Sequence, residues 1–310
     1  MREEIQTVRI SITEVTAGLS RIDSYIADEL KLFSRSQVKR RVRRALVNGR
    51  EVKLSRHLKS GDLLEVWYSD PPPVELIPEE IELNILYEDR NVLVIDKPPG
   101  MVVHPGCGNR SGTLVNAVLH YCSLLRETFP DESLRPGIVH RLDKDTSGVI
   151  ILAKSHQALD FLAGQFRSGR VKKQYLAILR GSPKPPAGRI ETLICRDPHN
   201  RKRFTAHTSS GKRALTLYRV VKSFSGYSLI SLRPRSGRSH QLRVHMAFQG
   251  CPILGDPIYS RKAHYPMMLH AFKLWIRLPG DETPRLFRAP LPERFLKAVR
   301  SFEASPEGRD

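Results

Sequence analysis

Three consecutive prolines constrain this chain more than any other feature. They stand in Ser69-Asp70-Pro71-Pro72-Pro73-Val74. Each proline lacks a backbone N–H and fixes its own φ, so no helix or central strand can run through them. A run of this kind is a stiff, extended spacer. The 310 residues are enough for two cores. The expected organisation is a small amino-terminal unit (1–70), a proline-rich linker (71–80), a larger unit (81–302) and a short tail (303–310).

In the small unit, Ile22, Tyr25, Ile26 and Leu30 recur at helical spacing from Arg21 to Leu30. Ser34 reads as the N-cap of a second helix running to about Leu46, with Val38, Val42 and Ala45 on one face. Arg35, Lys39, Arg40, Arg43 and Arg44 occupy much of the rest. Asn48-Gly49, between strand formers, predicts a two-residue hairpin, and Asp62–Tyr68 a closing strand. Arg35 to Lys59 holds ten Lys or Arg against one acid, Glu51. A merely solvated face mixes both signs. One sign here points to phosphate contact, which gives affinity and position more than sequence choice.

The larger unit alternates strand-like runs (Asn91–Asp96, Val149–Ala153, Gln174–Leu179, Tyr227–Leu232) with helical patterns, clearest over Leu114–Leu125 and Gln157–Phe166. The order is mixed and shows no repeating βα unit. The expected fold is α+β, around a central mixed, largely antiparallel sheet.

The net charge of +19, from 51 Lys and Arg against 32 Asp and Glu, implies a polyanionic partner, either nucleic acid or an acidic membrane surface. Apolar runs stop at roughly six residues, far short of the ~20 that span a bilayer. No signal-peptide core follows Met1. Cys107, Cys122, Cys195 and Cys251 are scattered, which suggests neither zinc nor disulfides and makes a reducing cytoplasm the expectation. His240 and His245 are five apart, a poor spacing for a shared metal, and read as structural or RNA-contacting. Ser209-Ser210-Gly211-Lys212 lacks the upstream glycine of a phosphate-binding loop. No metal is expected.

The densest chemistry lies in His140-Arg141-Leu142-Asp143-Lys144-Asp145-Thr146-Ser147-Gly148, followed at once by Val149-Ile150-Ile151-Leu152-Ala153. The second segment reads as a buried strand, which fixes the loop before it. By itself Asp143 could be an ion-paired surface residue or a turn former. Tyr175, alternating with apolar neighbours, could be a core aromatic, and Arg243 one more surface cation.

The loop resembles the active-site signature of the RluA/RluD family of pseudouridine synthases, His-Arg-Leu-Asp-x-x-Thr-Ser-Gly. Four further blocks resemble that family in the same order. They are Ile85–Asp89 through Val94-Ile95-Asp96-Lys97-Pro98-Pro99-Gly100 to Pro105; Lys172-Lys173-Gln174-Tyr175-Leu176-Ala177; Gly237-Arg238-Ser239-His240-Gln241-Leu242-Arg243-Val244-His245 on to Gly255-Asp256-Pro257-Ile258-Tyr259; and Leu269-His270-Ala271. The resemblance covers residues 81–275. The small unit is similar to the RNA-binding domain named after ribosomal protein S-four.

The resemblance implies an isomerase that detaches uracil from ribose, turns it and rejoins it through carbon, with no cofactor. Asp143 would be the catalytic carboxylate, attacking the sugar, adding to the uracil ring or removing a ribose proton. Arg243 would pair with it and keep it ionised. Tyr175 would stack on the base or act as a late base, and Leu269 would form apolar wall. Arg141 would fill the gap left by the extruded nucleotide, since a stacked base is inaccessible. His140, Arg238 and His240 would complete the RNA contacts.

Val102–Gly106 and His140–Asp145 look closer to the RluD branch, whose members modify a stem-loop at the large subunit's decoding-side interface. The implied partner is therefore ribosomal RNA, free or in an assembling large subunit, met by a monomer with no membrane contact. The alternatives are a synthase acting on tRNA or another RNA, and an RNA-binding assembly factor in which catalysis is secondary. No strand leads into a glycine-rich turn of the kind a methyltransferase would need.

Overall fold

The computed structural model describes residues 5–13, 21–33, 35–69, 76–106, 108–129, 135–200, 202–207, 209–260 and 265–304. The chain divides into two compact units, Met1–Glu75 and Leu76–Asp310. Ser34 and Pro71–Pro73 lie outside the described residues.

In the first unit, β1 (Ile5–Ser11) precedes a helical segment in which α1 (Ile22–Ser24) widens into a π turn over Tyr25–Glu29. Helix α2 (Arg35–Arg41), β2 (Val42–Val47), β3 (Arg50–Glu51) and β4 (Leu63–Ser69) follow. The strands form an antiparallel sheet in the order β1-β4-β2-β3. Ile22, Ile26, Val38, Val47, Leu64 and Val66 share its core.

The helix expected to reach Leu46 stops at Arg41, so Arg43 and Arg44 sit on a strand. The cause is the hairpin. Asn48 and Gly49 both have positive φ (53° and 76°), the geometry that joins two twisted strands through two residues. Val47 must then pair with Arg50 and Leu64, and Ala45 with Val66. A helix up to Leu46 would leave the turn no strand to reverse.

The second unit begins with β5 (Ile85–Glu88), β6 (Val92–Lys97), α3 (Leu114–Tyr121) and α4 (Leu124–Thr128). The expected single helix over Leu114–Leu125 is two, broken where Cys122 leaves helical geometry at φ −127°, ψ 88°. Then come β7 (Ser147–Ala153), α5 (His156–Arg167), β8 (Lys172–Arg180), β9 (Ala187–Arg196), β10 (Phe204–His207), β11 (Lys212–Phe224) and β12 (Tyr227–Pro234). Helix α6 (Gln241–Phe248), β13 (Leu269–Ile276), β14 (Arg285–Arg288) and α7 (Glu293–Ala304) complete it.

One mixed sheet runs β10-β9-β11-β12-β8-β13-β7-β6-β5, with β14 added to β13. The β13–β7 pair is its single parallel pairing among the described residues. Alternation along the strands feeds two faces. Val149 and Ile151 pack towards α5, while Ile150 and Leu152 pack towards α3. Ala177 and Leu179 of β8 meet Leu242 and Met246 of α6, while Ile178 meets Phe295 of α7. The middle of the sheet is therefore β8-β13-β7, with α6 over one side of β8.

Candidate active site

Asp143 lies on the loop entering β7, and that loop is fixed at several points. Ile151 N–H donates to His140 Nε2 (3.0 Å), and the His140 ring stacks on Phe166 at 4.5 Å. Beneath the loop Lys97, wholly buried, donates to the carbonyls of Pro98 (2.7 Å), Met101 (2.9 Å) and Lys144 (3.0 Å). Thr146 N–H closes a turn on Asp143 O at 3.1 Å. At the strand's entry Gly148 has φ 113°, and a Cβ there would stand 2.2 Å from Ala271 O. Only glycine lets β7 and β13 approach this closely.

Arg243 projects from α6, with its side chain 5% exposed. Its Nε and Nη2 clasp Asp256 Oδ2 and Oδ1 at 2.7 and 2.8 Å, and Nη1 donates to Asp143 Oδ2 at 3.2 Å. Asp256 Oδ1 also accepts the N–H groups of Ile258 (2.9 Å) and Tyr259 (3.1 Å). Burial opposes the guanidinium charge, but the hydrogen bonds and charge of Asp256, aided by Asp143, raise its pKa further above the ordinary value. Asp256, fully buried, thus compensates the cation. Asp143, 27% exposed, joins the pair from the solvent side and is held through Oδ2, which leaves Oδ1 uncommitted among the described residues.

Asp143 and Arg243 line a cleft of about 660 Å³ together with Tyr175, Leu269, His140, Arg141, Arg238 and His240. Register explains the meeting: Tyr175 on β8 pairs with Ala271 on β13, and Ala271 pairs with Gly148 on β7. Burial, then the charge of Asp143, pushes the Tyr175 phenol upward, so it stands in the cleft as a neutral ring. Burial, then Lys173, pulls His140 down to about 3, so it is a neutral acceptor for the backbone. His240, at φ 54°, begins α6 and shares a 3.0 Å hydrogen bond with the Tyr259 hydroxyl. Arg141 reaches Ser239 Oγ at 3.3 Å, and Arg238 donates to Arg213 O at 3.0 Å. His245 does not enter the cleft: its ring sits wholly buried between Thr216 Oγ1 (2.9 Å) and Thr192 Oγ1 (3.1 Å).

The remaining basic residues belong to the first unit. Arg35, Lys39 and Arg40 lie on α2, and Arg43 and Arg44 on β2. Lys39, Arg43 and Arg44 line a second cleft of about 430 Å³ in that unit. Arg44 pairs with Glu51 at 3.1 Å, and Arg43 donates to Ser69 Oγ at 2.8 Å.

Sequence reasoning gave no role to Asp256, Lys97 or Lys173. Asp256 stands in a Gly-Asp-Pro turn, where an acid passes for a turn former. Lys97 closes an apolar strand beside Pro98-Pro99-Gly100, where a lysine ordinarily turns to solvent, so its burial is set by the fold and not signalled locally.

Residues 91–248 match the family described as RNA pseudouridylate synthase. The "Ribosomal large subunit pseudouridine synthase D" of Borreliella burgdorferi is 42% identical over 297 residues, covering 93% of this chain and 91% of that one. The protein of the same name from Zymomonas mobilis is 38% identical over 269 residues, 84% of each chain. Among solved structures, "Human RNA Pseudouridylate Synthase Domain Containing 4" aligns with a TM-score of 0.56 and 27% identity, over 71% of this chain and 93% of that chain. A strand-locked loop carrying a carboxylate, an arginine anchored to meet it and a neutral tyrosine in one cleft accompany these matches, and the chain belongs to the RNA pseudouridine synthases, the isomerases that convert uridine in RNA to pseudouridine.

Proposed function

We propose that this enzyme isomerises specific uridines of large-subunit ribosomal RNA, with Asp143 as the catalytic carboxylate. The observation that carries the reading is the Asp143–Arg243 contact, 3.2 Å, at the wall of a cleft large enough for a nucleotide. Sugar attack, addition to uracil and removal of a ribose proton all need a carboxylate held close to the extruded nucleotide. Arg243 orients one oxygen and leaves the other for the substrate. Tyr175 offers the base a neutral face, and Leu269 closes the apolar side. Arg141, exposed at the rim, takes the place of the extruded base in the RNA stack.

The ribosomal address is supported by the name of the Borreliella burgdorferi relative, whose match extends over both units. The first unit, tethered through 71–80, adds phosphate contacts from Arg35, Lys39, Arg40, Arg43 and Arg44. The reading needs no more than a monomer, acting on free RNA or an assembling subunit. The scattered cysteines favour the cytoplasm.

The test is a pseudouridine map of cellular RNA by carbodiimide-adduct stops in reverse transcription. It compares cells with the intact chain, without it, and with Asp143→Asn. Large-subunit stops present only with the intact chain are expected. Stops confined to tRNA would move the address, and identical maps would leave an assembly factor.

A further inference from the structure

Two lysines of the second unit flank the active-site loop, Lys97 wholly buried and Lys173 half-buried, and they differ in what surrounds the ammonium. Lys97 meets three carbonyl oxygens within 3.0 Å. Lys173 sits in the cleft wall with His140, Phe166, Val171 and Gly237. Burial lowers its pKa, and among the described residues no carboxylate acts on it to restore the charge. Its Nζ reaches towards the loop after β12, where a Cβ on Gly237 would stand 3.8 Å away, and among the described residues it finds no hydrogen-bond or ion-pair partner there. A half-buried cation that faces a cleft with no counter-charge among the described residues is open to an anionic ligand.

The position of Lys173 identifies that anion. Lys173 and Tyr175 are two residues apart on β8, so both side chains face the α6 side, about 6.6 Å apart along the strand. A nucleotide whose base lies against Tyr175 and whose sugar lies at Asp143 extends its backbone from the same pocket. The acid in the cleft wall, Asp143, meets Arg243 through Oδ2 and makes no ion pair with Lys173 among the described residues, whereas Arg141, Arg167, Arg235 and Arg238 ring the exposed side. Resting on the pseudouridine-synthase reading of this cleft, we propose that Lys173 binds a phosphodiester bordering the extruded uridine. The surface arginines hold the RNA in general. Lys173 registers the one nucleotide that has entered, and so couples base extrusion to the fit at Asp143.

The test is a double cycle in affinity. The probe is a stem-loop RNA carrying the target uridine, with one methylphosphonate at the linkage on either side of it. The sugar before the neutral linkage is 2′-O-methylated, and a matched control has the same sugar and an ordinary phosphate. Wild type, Lys173→Met and Lys173→Arg are compared, with Lys173→Gln as a second neutral variant should methionine disturb the strand. Loss of one charged contact is expected to weaken binding roughly 10- to 100-fold. One neutral linkage should cost wild type and Lys173→Arg that factor and cost Lys173→Met nothing further. Losses that multiply at both linkages, or neutral linkages that wild type tolerates, would overturn the proposal. Turnover of the unmodified RNA by wild type reports on isomerisation separately.

Discussion

Asp256 holds Arg243 by a two-bond fork, Nε to Oδ2 at 2.7 Å and Nη2 to Oδ1 at 2.8 Å. The arginine that meets Asp143 is therefore aimed by a second acid behind it. Asp256→Asn keeps the shape but removes the charge and one acceptor. A buried pair broken on one side costs about 3–5 kcal/mol where the partner cannot relax. The expected outcome in single-turnover kinetics is a fall in rate of roughly 10- to 100-fold, with RNA affinity little changed and a lowered unfolding midpoint.

Gly148 is set by contact with β13. Gly148→Ala would place a methyl 2.2 Å from Ala271 O at φ 113°. Either the parallel pairing opens or the loop carrying Asp143 shifts. Urea unfolding should show a loss of at least about 2 kcal/mol, and activity should fall with it.

Acid should weaken the second unit. Burial pulls His245 down to about 4, and His270 likewise to about 4. Between their unfolded value near 6.5 and about 4, the unfolded chain binds protons that the native chain does not. Stability is therefore full above pH 6.5 and falls as pH drops through that window, by about 1.4 kcal/mol per pH unit for each histidine. Denaturant titrations at pH 7 and pH 5 check this, and His245→Gln should flatten the slope by one proton.

The first unit should govern affinity rather than chemistry. Lys39→Ala with Arg40→Ala removes two cations from α2. Each lost phosphate contact should reduce the slope of log affinity against log salt by about 0.7–0.9. The measurement is RNA binding between low and moderate salt; the rate at saturating RNA should be unchanged.

What could be read in advance depended on whether meaning was local. The run Val149–Ala153 after Gly148 announced a buried strand, and every residue of β7 is buried. The Asn48-Gly49 turn was equally local, and it overrode the helical spacing of Val38, Val42 and Ala45. β1 shows the alternation Val8-Arg9-Ile10-Ser11, continued by Ile12 beyond the strand, a pattern open to reading but weaker than the basic run that follows it. Asp143, Tyr175, Arg243 and Leu269 were nameable only through the ordered family blocks, because their meeting rests on the β8-β13-β7 order. Asp256 gains its role only when α6 and the turn after it fold back on each other. Lys173 looks like any other lysine until the cleft closes round it.

On the proposed mechanism Asp143, held by Arg243, performs the chemistry. The most direct measurement is pseudouridine formation in a large-subunit stem-loop RNA by purified wild type and Asp143→Asn, at saturating enzyme, with the affinity of each for that RNA. Conversion by wild type, none by Asp143→Asn, and affinities within about threefold, a difference of under 1 kcal/mol, are expected. Conversion by Asp143→Asn at the wild-type rate would contradict that mechanism.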